Sequence, residues 1–221
     1  EGAQWTRLGD ASAADGVWVD WRGGTGLGGT YRLIAYAWNL LPSSPGAPAA
    51  STTRELSDDE WFDMAEEAAF RYFWVYAHPT WGLARERYTD ENMCATGGTG
   101  MGILALIAGA SRGYAPRADI ASRVHRILEC YATAATPYHG AFSHWVEGST
   151  AASLAPDAPG DFKGDIVETS YLMQGALAAR QYFDGADATE TGIRTLATQL
   201  WAGVDWHAYR PMPPGNAVYW L

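Results

Sequence analysis

The chain has 221 residues, room for one large domain or one domain plus a fragment, and its 48% of hydrophobic residues can fill a sizeable core. A net charge of −10 and a pI near 4.8 argue against nucleic acid, whose phosphates need clustered Lys and Arg, and against an anionic membrane surface. A neutral partner fits this charge better.

Aromatic content is the outlier, with 11 Trp and 12 Tyr. A single Trp reads first as core, but the set favours a cleft lined with flat rings that stack on sugars. Cys94 and Cys130 form neither a disulfide scaffold nor a metal motif; unpaired structural thiols are expected, although spacing leaves pairing open. No apolar run is long enough for a membrane span. The chain starts at Glu1 without a signal peptide and stops at Leu221 just after Tyr219-Trp220, so both ends are expected to be internal to a longer product.

Residues 1–41 read as β: Val17 to Trp21 alternates, a Gly-rich turn follows, and Tyr31 to Trp38 is the best strand pattern. Two or three strands cannot stand alone, so this piece is expected to be the remnant of a fibronectin-like or immunoglobulin-like sandwich, or to pack on the helical domain. Residues 42–56, with three Pro among Ala and Ser, read as a linker. Helical spacing begins with a capping box, Ser57 to Glu60, and Trp61, Ala65, Ala68, Ala69, Tyr72, Phe73 and Tyr76 recur as one apolar set ending at His78-Pro79.

After a loop through Thr96, a second helix is predicted over 98–110, apolar nearly all round and therefore buried on every side. A third starts at Pro116 and buries Ile120, Val124, Ile127, Leu128 and Tyr131. A long loop over 135–164 carries a possible strand from Ala141 to Val146 with a hairpin turn at Glu147-Gly148. A fourth helix, over 165–183, is small and apolar. The fifth, over 189–204, buries Ile193, Leu196, Leu200, Trp201 and Val204. Half-exposed helices thus alternate with buried ones. Antiparallel hairpins in a ring give this alternation, so the fold class is all-α, a double-layered α/α barrel. The inner helices would start at one rim, where residues available for chemistry should lie.

Three carboxylates converge on the start of the fourth helix. Asp165 and Glu168 share a face and Asp161 lies one loop turn earlier. Asp165 reads as an N-cap, whereas Glu168 on an apolar helix needs a partner or a raised pKa, the property of a group that protonates a glycosidic oxygen. Ahead of them, Tyr138 to Trp145 carries His139, His144 and Trp145. These lack metal-ligand spacing and suit hydrogen bonding and stacking on sugar; packed, satisfied His side chains are the structural alternative. Gly97, Gly98, Gly100 and Gly102 are not a phosphate loop, because no strand precedes and no Lys follows; they permit close helix packing. Arg85 and Arg87 read as ion-pair partners of Glu86 or of the carboxylates. No serine nucleophile elbow is visible.

The runs Phe70 to Trp74, His78-Pro79, Gly82 to Arg87, Thr96 to Gly102, His139 to Trp145, Gly164 to Thr169 and Gln181 to Phe183 together resemble the glycoamylase-like glycoside hydrolases. They are most similar to the endo-β-1,2-glucanases of glycoside hydrolase family 144. The match spans Leu56 to Trp220 in order and with similar gaps. The resemblance implies an (α/α)6 barrel of twelve helices, of which residues 57–221 would be the N-terminal half. It implies inverting hydrolysis of β-1,2-glucan to short sophoro-oligosaccharides, with no metal or other cofactor.

Positions matching Asp161, Asp165 and Glu168 line the family's cleft. Arg85, His139, His144, Trp145, Tyr219 and Trp220 are the candidate substrate contacts, and the family's general acid lies beyond Leu221, so the three carboxylates could serve subsites or the base side. The expected protein is a secreted or periplasmic monomer acting on a polysaccharide or oligosaccharide. A glycosyl-transferring or oligosaccharide-specific relative on the same barrel, and a non-catalytic carbohydrate-binding protein, are the rival readings.

Overall fold

A computed structural model of the chain describes residues 28–31, 46–52, 55–154 and 164–210. Among them are five α-helices and short strands, grouped into two compact units, Glu1–Ala65 and Glu66–Leu221.

In the first unit β1 (Gly28–Tyr31) pairs antiparallel with β2 (Ala49–Thr52), Gly28 opposite Thr52 and Tyr31 opposite Ala49. The second strand falls where Pro and Ala content predicts a linker, so Ala49–Thr52 is a ladder partner rather than free coil. The expected strands Val17–Trp21 and Tyr31–Trp38 lie, apart from Tyr31, outside the described residues.

Helix α1 (Asp58–Val75) opens as its sequence dictates. The Ser57 N–H donates to Glu60 Oε2 at 2.8 Å, and the Glu60 N–H donates to Ser57 Oγ at 3.3 Å. Its apolar set does not form a core stripe. Trp61 and Phe62 are 46% and 69% exposed, Ala65, Ala68 and Ala69 are exposed, and the fully buried residue is Phe70. Phe70 stacks on Trp74 at 5.7 Å.

The second unit is built on α2 (Thr96–Arg112), α3 (Arg117–Thr133), α4 (Ile166–Tyr182) and α5 (Ala188–Gly203). Helix α2 packs on α4 and α3, and α5 packs on α3 and α4. Gly97 lies against Glu168, and Gly100 lies against Tyr171 and Leu172, so α2 and α4 run parallel at their N-terminal ends. The approach is backbone on backbone: a Cβ at Gly100 would run into the Tyr171 carbonyl, and one at Gly175 into the Gly100 carbonyl. Helix α3 buries the predicted face, Ile120, Val124, Ile127, Leu128 and Tyr131. Each such side chain contributes about 1.5–3 kcal/mol by leaving water.

Three expectations change. Helix α2 is not buried on every side: Ala108 is exposed and Met101, Leu104 and Ile107 are half-buried. Helix α4 is not buried all round: Leu172, Met173, Ala176 and Ala179 are buried, but Ser170, Tyr171 and Gln174 face outward. On α5, Trp201 is exposed, against Trp206 at 5.4 Å, while Ile193 and Leu200 are buried as predicted.

In a small antiparallel sheet of β3 (Met93–Ala95), β4 (Trp145–Glu147) and β5 (Ser153–Leu154), β3 runs straight into α2, so a strand does precede the glycines at 97–102, contrary to the expectation, although no Lys follows them. Ala95 pairs with Trp145 and Cys94 with Val146. The predicted strand over 141–146 is therefore shorter and later, and the chain reverses between Glu147 and Ser153 instead of at Glu147-Gly148. Cys94 and Cys130 are buried free thiols. Burial pushes both up to about 12. No described helix is long and apolar enough to cross a membrane.

Candidate active site

Asp165 is the N-cap of α4: its Oδ1 accepts from the Val167 and Glu168 N–H groups at 2.9 and 3.0 Å. Such a cap fixes the side chain and satisfies two helix-end donors. Its other oxygen, Oδ2, stands 3.0 Å from His144 Nδ1, and the residue is 1% exposed.

One turn on, Glu168 reaches across to the neighbouring helix. Its Oε2 accepts from the Gly97 N–H at 2.8 Å, at the start of α2. Helix N-termini present unpaired N–H groups and partial positive charge, so this is a favourable seat for a carboxylate. The glycines at 97–102 thus open a helix that holds an anion of the protein's own. Glu168 Oε1 lies 3.9 Å from His144 Nε2. His144 therefore stands between the two carboxylates, with its side chain 34% exposed. Its ring lies 4.0 Å from that of Trp145, whose Nε1 is buried and has no hydrogen-bond partner among the described residues.

A buried polar frame holds these groups. The Thr96 N–H donates to the His144 carbonyl at 2.9 Å, and Thr96 Oγ1 donates to the Ser143 carbonyl at 2.6 Å. The Asp165 N–H donates to the Phe142 carbonyl, and the Phe142 N–H to Thr169 Oγ1, both at 2.8 Å. Behind Thr96, the Tyr131 hydroxyl donates to Thr96 Oγ1 at 3.3 Å and is raised by burial. Tyr209 donates to the Tyr138 carbonyl at 2.6 Å. Its hydroxyl is pushed up to about 12 by burial first, then by Tyr138 and the Asp165 charge. Ser143 Oγ bonds Ser153 Oγ.

The structure thus brings Asp165, Glu168, His144 and Trp145 together. His139 does a different job. With φ of +47° it shares a tight turn with Gly140 at +79°, between the bridged residues Tyr138 and Ala141. It is exposed, its ring packs edge-on against Tyr138, and no hydrogen bond joins it to the carboxylates among the described residues. Tyr138-His139-Gly140-Ala141 is a two-residue hairpin signal, legible but overshadowed by the histidine.

The expected ion pairs also change. Arg87 pairs with Asp90 at 3.6 Å, and among the described residues Arg85 has no ion pair with Glu86, Asp165 or Glu168. Instead Arg85 bridges to Cys94 through its backbone, and its Nε is buried with no hydrogen-bond partner among the described residues. Asp161, Tyr219 and Trp220 lie outside the described residues. The Gly97 N–H, Thr96, Tyr131 and Tyr209 were not singled out by sequence; a backbone donor carries no side-chain signal. Among the described residues no three His, Cys, Asp or Glu side chains form a metal-binding group.

Two carboxylates on adjacent helix N-termini, one of them partly open beside an exposed imidazole and an indole, suit acid–base chemistry on a neutral substrate. No family model matches the chain. Over most of its length it is nevertheless similar to glycoside hydrolases. Across 204 residues, 92% of this chain, it is 38% identical to an exo-β-1,2-glucooligosaccharide sophorohydrolase (non-reducing end) of Parabacteroides distasonis, of which the match covers 28%.

The crystal structure of a β-1,2-glucanase from the same organism is 38% identical with a TM-score of 0.80, over 91% of this chain and 29% of that one. The endo-β-1,2-glucanase of Chitinophaga pinensis, solved with sophorotriose and glucose, is 38% identical with a TM-score of 0.68, over 75% and 41%. The resemblance carried by the sequence motifs, to β-1,2-glucanases, holds. The chain spans less than half the length of each of these relatives.

Proposed function

We propose that the chain is part of a glycoside hydrolase that cleaves β-1,2-glucosidic bonds in glucan, by an inverting mechanism. Asp165 and Glu168, gathered with His144 where α2 and α4 both begin, are the observation that carries this reading. Two parallel helices starting at one rim fit the inner layer of an (α/α)6 barrel, with residues 57–221 as its N-terminal half, 42–56 as a connection and 1–41 as the remnant of a β-sandwich. The protein would be secreted or periplasmic and monomeric.

In the proposed reaction Glu168 stands on the base side. Its Oε2 is committed to the Gly97 N–H, leaving Oε1 to accept a proton from an attacking water. As that water bonds the anomeric carbon, the glycosidic C–O bond breaks and the leaving oxygen takes its proton from an acid placed beyond Leu221. Arg85, Trp145, Tyr219 and Trp220 are proposed to line the sugar subsites, with Asp161 on the loop before α4.

A second reading, exo release of sophorose from oligosaccharides, has its own support. The 204 residues matched in the sophorohydrolase outnumber the Glu66–Leu221 unit, so that match takes in part of the first unit. The experiment is product analysis on linear β-1,2-glucan, with this chain and with a form extended through the region its relatives carry beyond the match. Short sophoro-oligosaccharides of mixed length indicate endo action, and sophorose alone indicates exo action. Glu168→Gln should abolish either. Inertness of the extended form on β-1,2-glucan, with cleavage or transfer on another glucan, would overturn the substrate and leave the barrel.

A further inference from the structure

We propose that His144 is a positioning residue that shares one proton with Glu168, and that Asp165 dictates which of its ring nitrogens takes part. The inference deepens the functional reading above and rests on it for its kinetic arm alone.

Asp165 cannot turn: its Oδ1 accepts two backbone N–H groups of α4, and its backbone N–H is tied to Phe142. Its Oδ2 therefore faces His144 Nδ1 at 3.0 Å as an acceptor. A carboxylate at neutral pH has no proton to give, so Nδ1 must carry the hydrogen. In the neutral ring this leaves Nε2 as a bare lone pair, and Nε2 is the atom that faces Glu168 Oε1 at 3.9 Å, just outside hydrogen-bond distance. Glu168 is held from its other side by Gly97 and cannot turn the same oxygen away without losing that bond.

A neutral ring and a charged Glu168 would oppose lone pair to lone pair. One proton on Nε2, facing Oε1, removes the conflict and leaves Oε1 the acceptor that the proposed base needs. The pair's surroundings add no compensating cation among the described ion pairs. From α4 come Asp165 and Glu168; beyond Asp165 stands the Tyr209 hydroxyl; behind Thr96 on α2 stands Tyr131 of α3; Trp145 covers the ring. The backbone frame at Thr96 fixes where the ring sits, so the contact is built in rather than incidental.

The side-chain amides of Asn and Gln separate the two nitrogens. His144→Asn places a donor near the Nδ1 position and keeps the Asp165 bond, whereas His144→Gln places one near Nε2 and keeps the Glu168 contact. In the extended hydrolase His144→Asn should lower kcat about 100-fold with KM within about 2-fold, the scale of a misplaced catalytic group. His144→Gln should recover part of that loss but flatten the pH profile. Changes in KM alone would make His144 a substrate contact and overturn the proposal.

The 221-residue chain supplies a readout independent of activity. Ring ¹⁵N shifts of His144 should show the Nδ1–H tautomer in the neutral state, a tautomer mixture in Asp165→Asn, and a lowered protonation midpoint in Glu168→Gln. An Nε2–H tautomer, or a midpoint indifferent to Glu168→Gln, overturns it. If the extended protein hydrolyses nothing, the functional reading fails and the ring measurement still decides this one.

Discussion

A methyl group at Gly97 would stand 2.5 Å from Glu168 Oε2, where the Gly97 N–H now donates. Gly97→Ala should therefore push the carboxylate off the helix end and lower kcat at least about tenfold, while circular dichroism stays unchanged because alanine favours the helix. Asp165 separates capping from chemistry. Asn caps as well as Asp, so Asp165→Asn should cost little in urea unfolding, whereas Asp165→Ala should cost about 1–2 kcal/mol by orphaning the Val167 and Glu168 N–H groups. Both should damage activity, since neither presents a carboxylate to His144. This contrast was legible in part. Asp165 at the head of an apolar run is a cap by residue type, and Glu168 three residues on shares its face. The seat of Glu168 was not legible, because it is a backbone N–H 71 positions away in sequence. At His139 the glycine that follows signals the turn it sits in.

Helix ends and periods were readable because they are local. The Ser57 box, the Asp165 cap and the α3 face from Ile120 to Tyr131 depend on residues within one or two turns. The three-residue strand β3 was not readable and β4 was placed only in part, since so short a segment has no period and becomes a strand only by pairing. Exposure failed for a related reason. Trp61 and Phe62 on α1 and Tyr171 on α4 announce a buried face, but burial requires a neighbour, and all three are exposed. Where the neighbour is present, the helix approach depends on missing side chains. Gly100→Val would press a branched side chain on the α4 backbone at Tyr171, and the helices must separate. Overpacking of this kind costs about 1–3 kcal/mol, seen as a lower urea midpoint at unchanged slope. The same substitution at Gly113, whose Cβ position is open but whose φ is +78°, should destabilise through backbone strain instead.

Stability of the whole molecule should fall on both sides of neutrality, for opposite reasons. On the acid side Glu190, 6% exposed, is held below the usual carboxylate range first by its hydrogen bond from Arg117, at 2.9 Å, against the cost of burial. A depressed carboxylate contributes stability above its unfolded value, about 4.3, and loses it as pH falls through the folded one. On the alkaline side the thiols of Cys94 and Cys130 sit near 12 because burial disfavours the thiolate. The unfolded chain releases these protons from about pH 8.5, while the native state keeps them. Unfolding therefore becomes easier as pH rises, by up to about 1.4 kcal/mol per pH unit for each thiol. Tyr209, near 12, joins above its unfolded value of about 10. Urea midpoints measured at pH 7, 9, 10 and 11 should decline over that range. A Cys94→Ala, Cys130→Ala variant should lose the part of the decline below pH 10 and keep the part above it, where tyrosine carries the slope. Ellman's reagent at pH 8 reports the same physics kinetically. With the thiolate almost absent and both sulfurs buried, the native protein should react only as fast as it opens, and both thiols should appear at once in urea. Rapid labelling of either cysteine in the native state would show that the buried layer beneath the site is open to solvent, and the alkaline slope should then vanish with it.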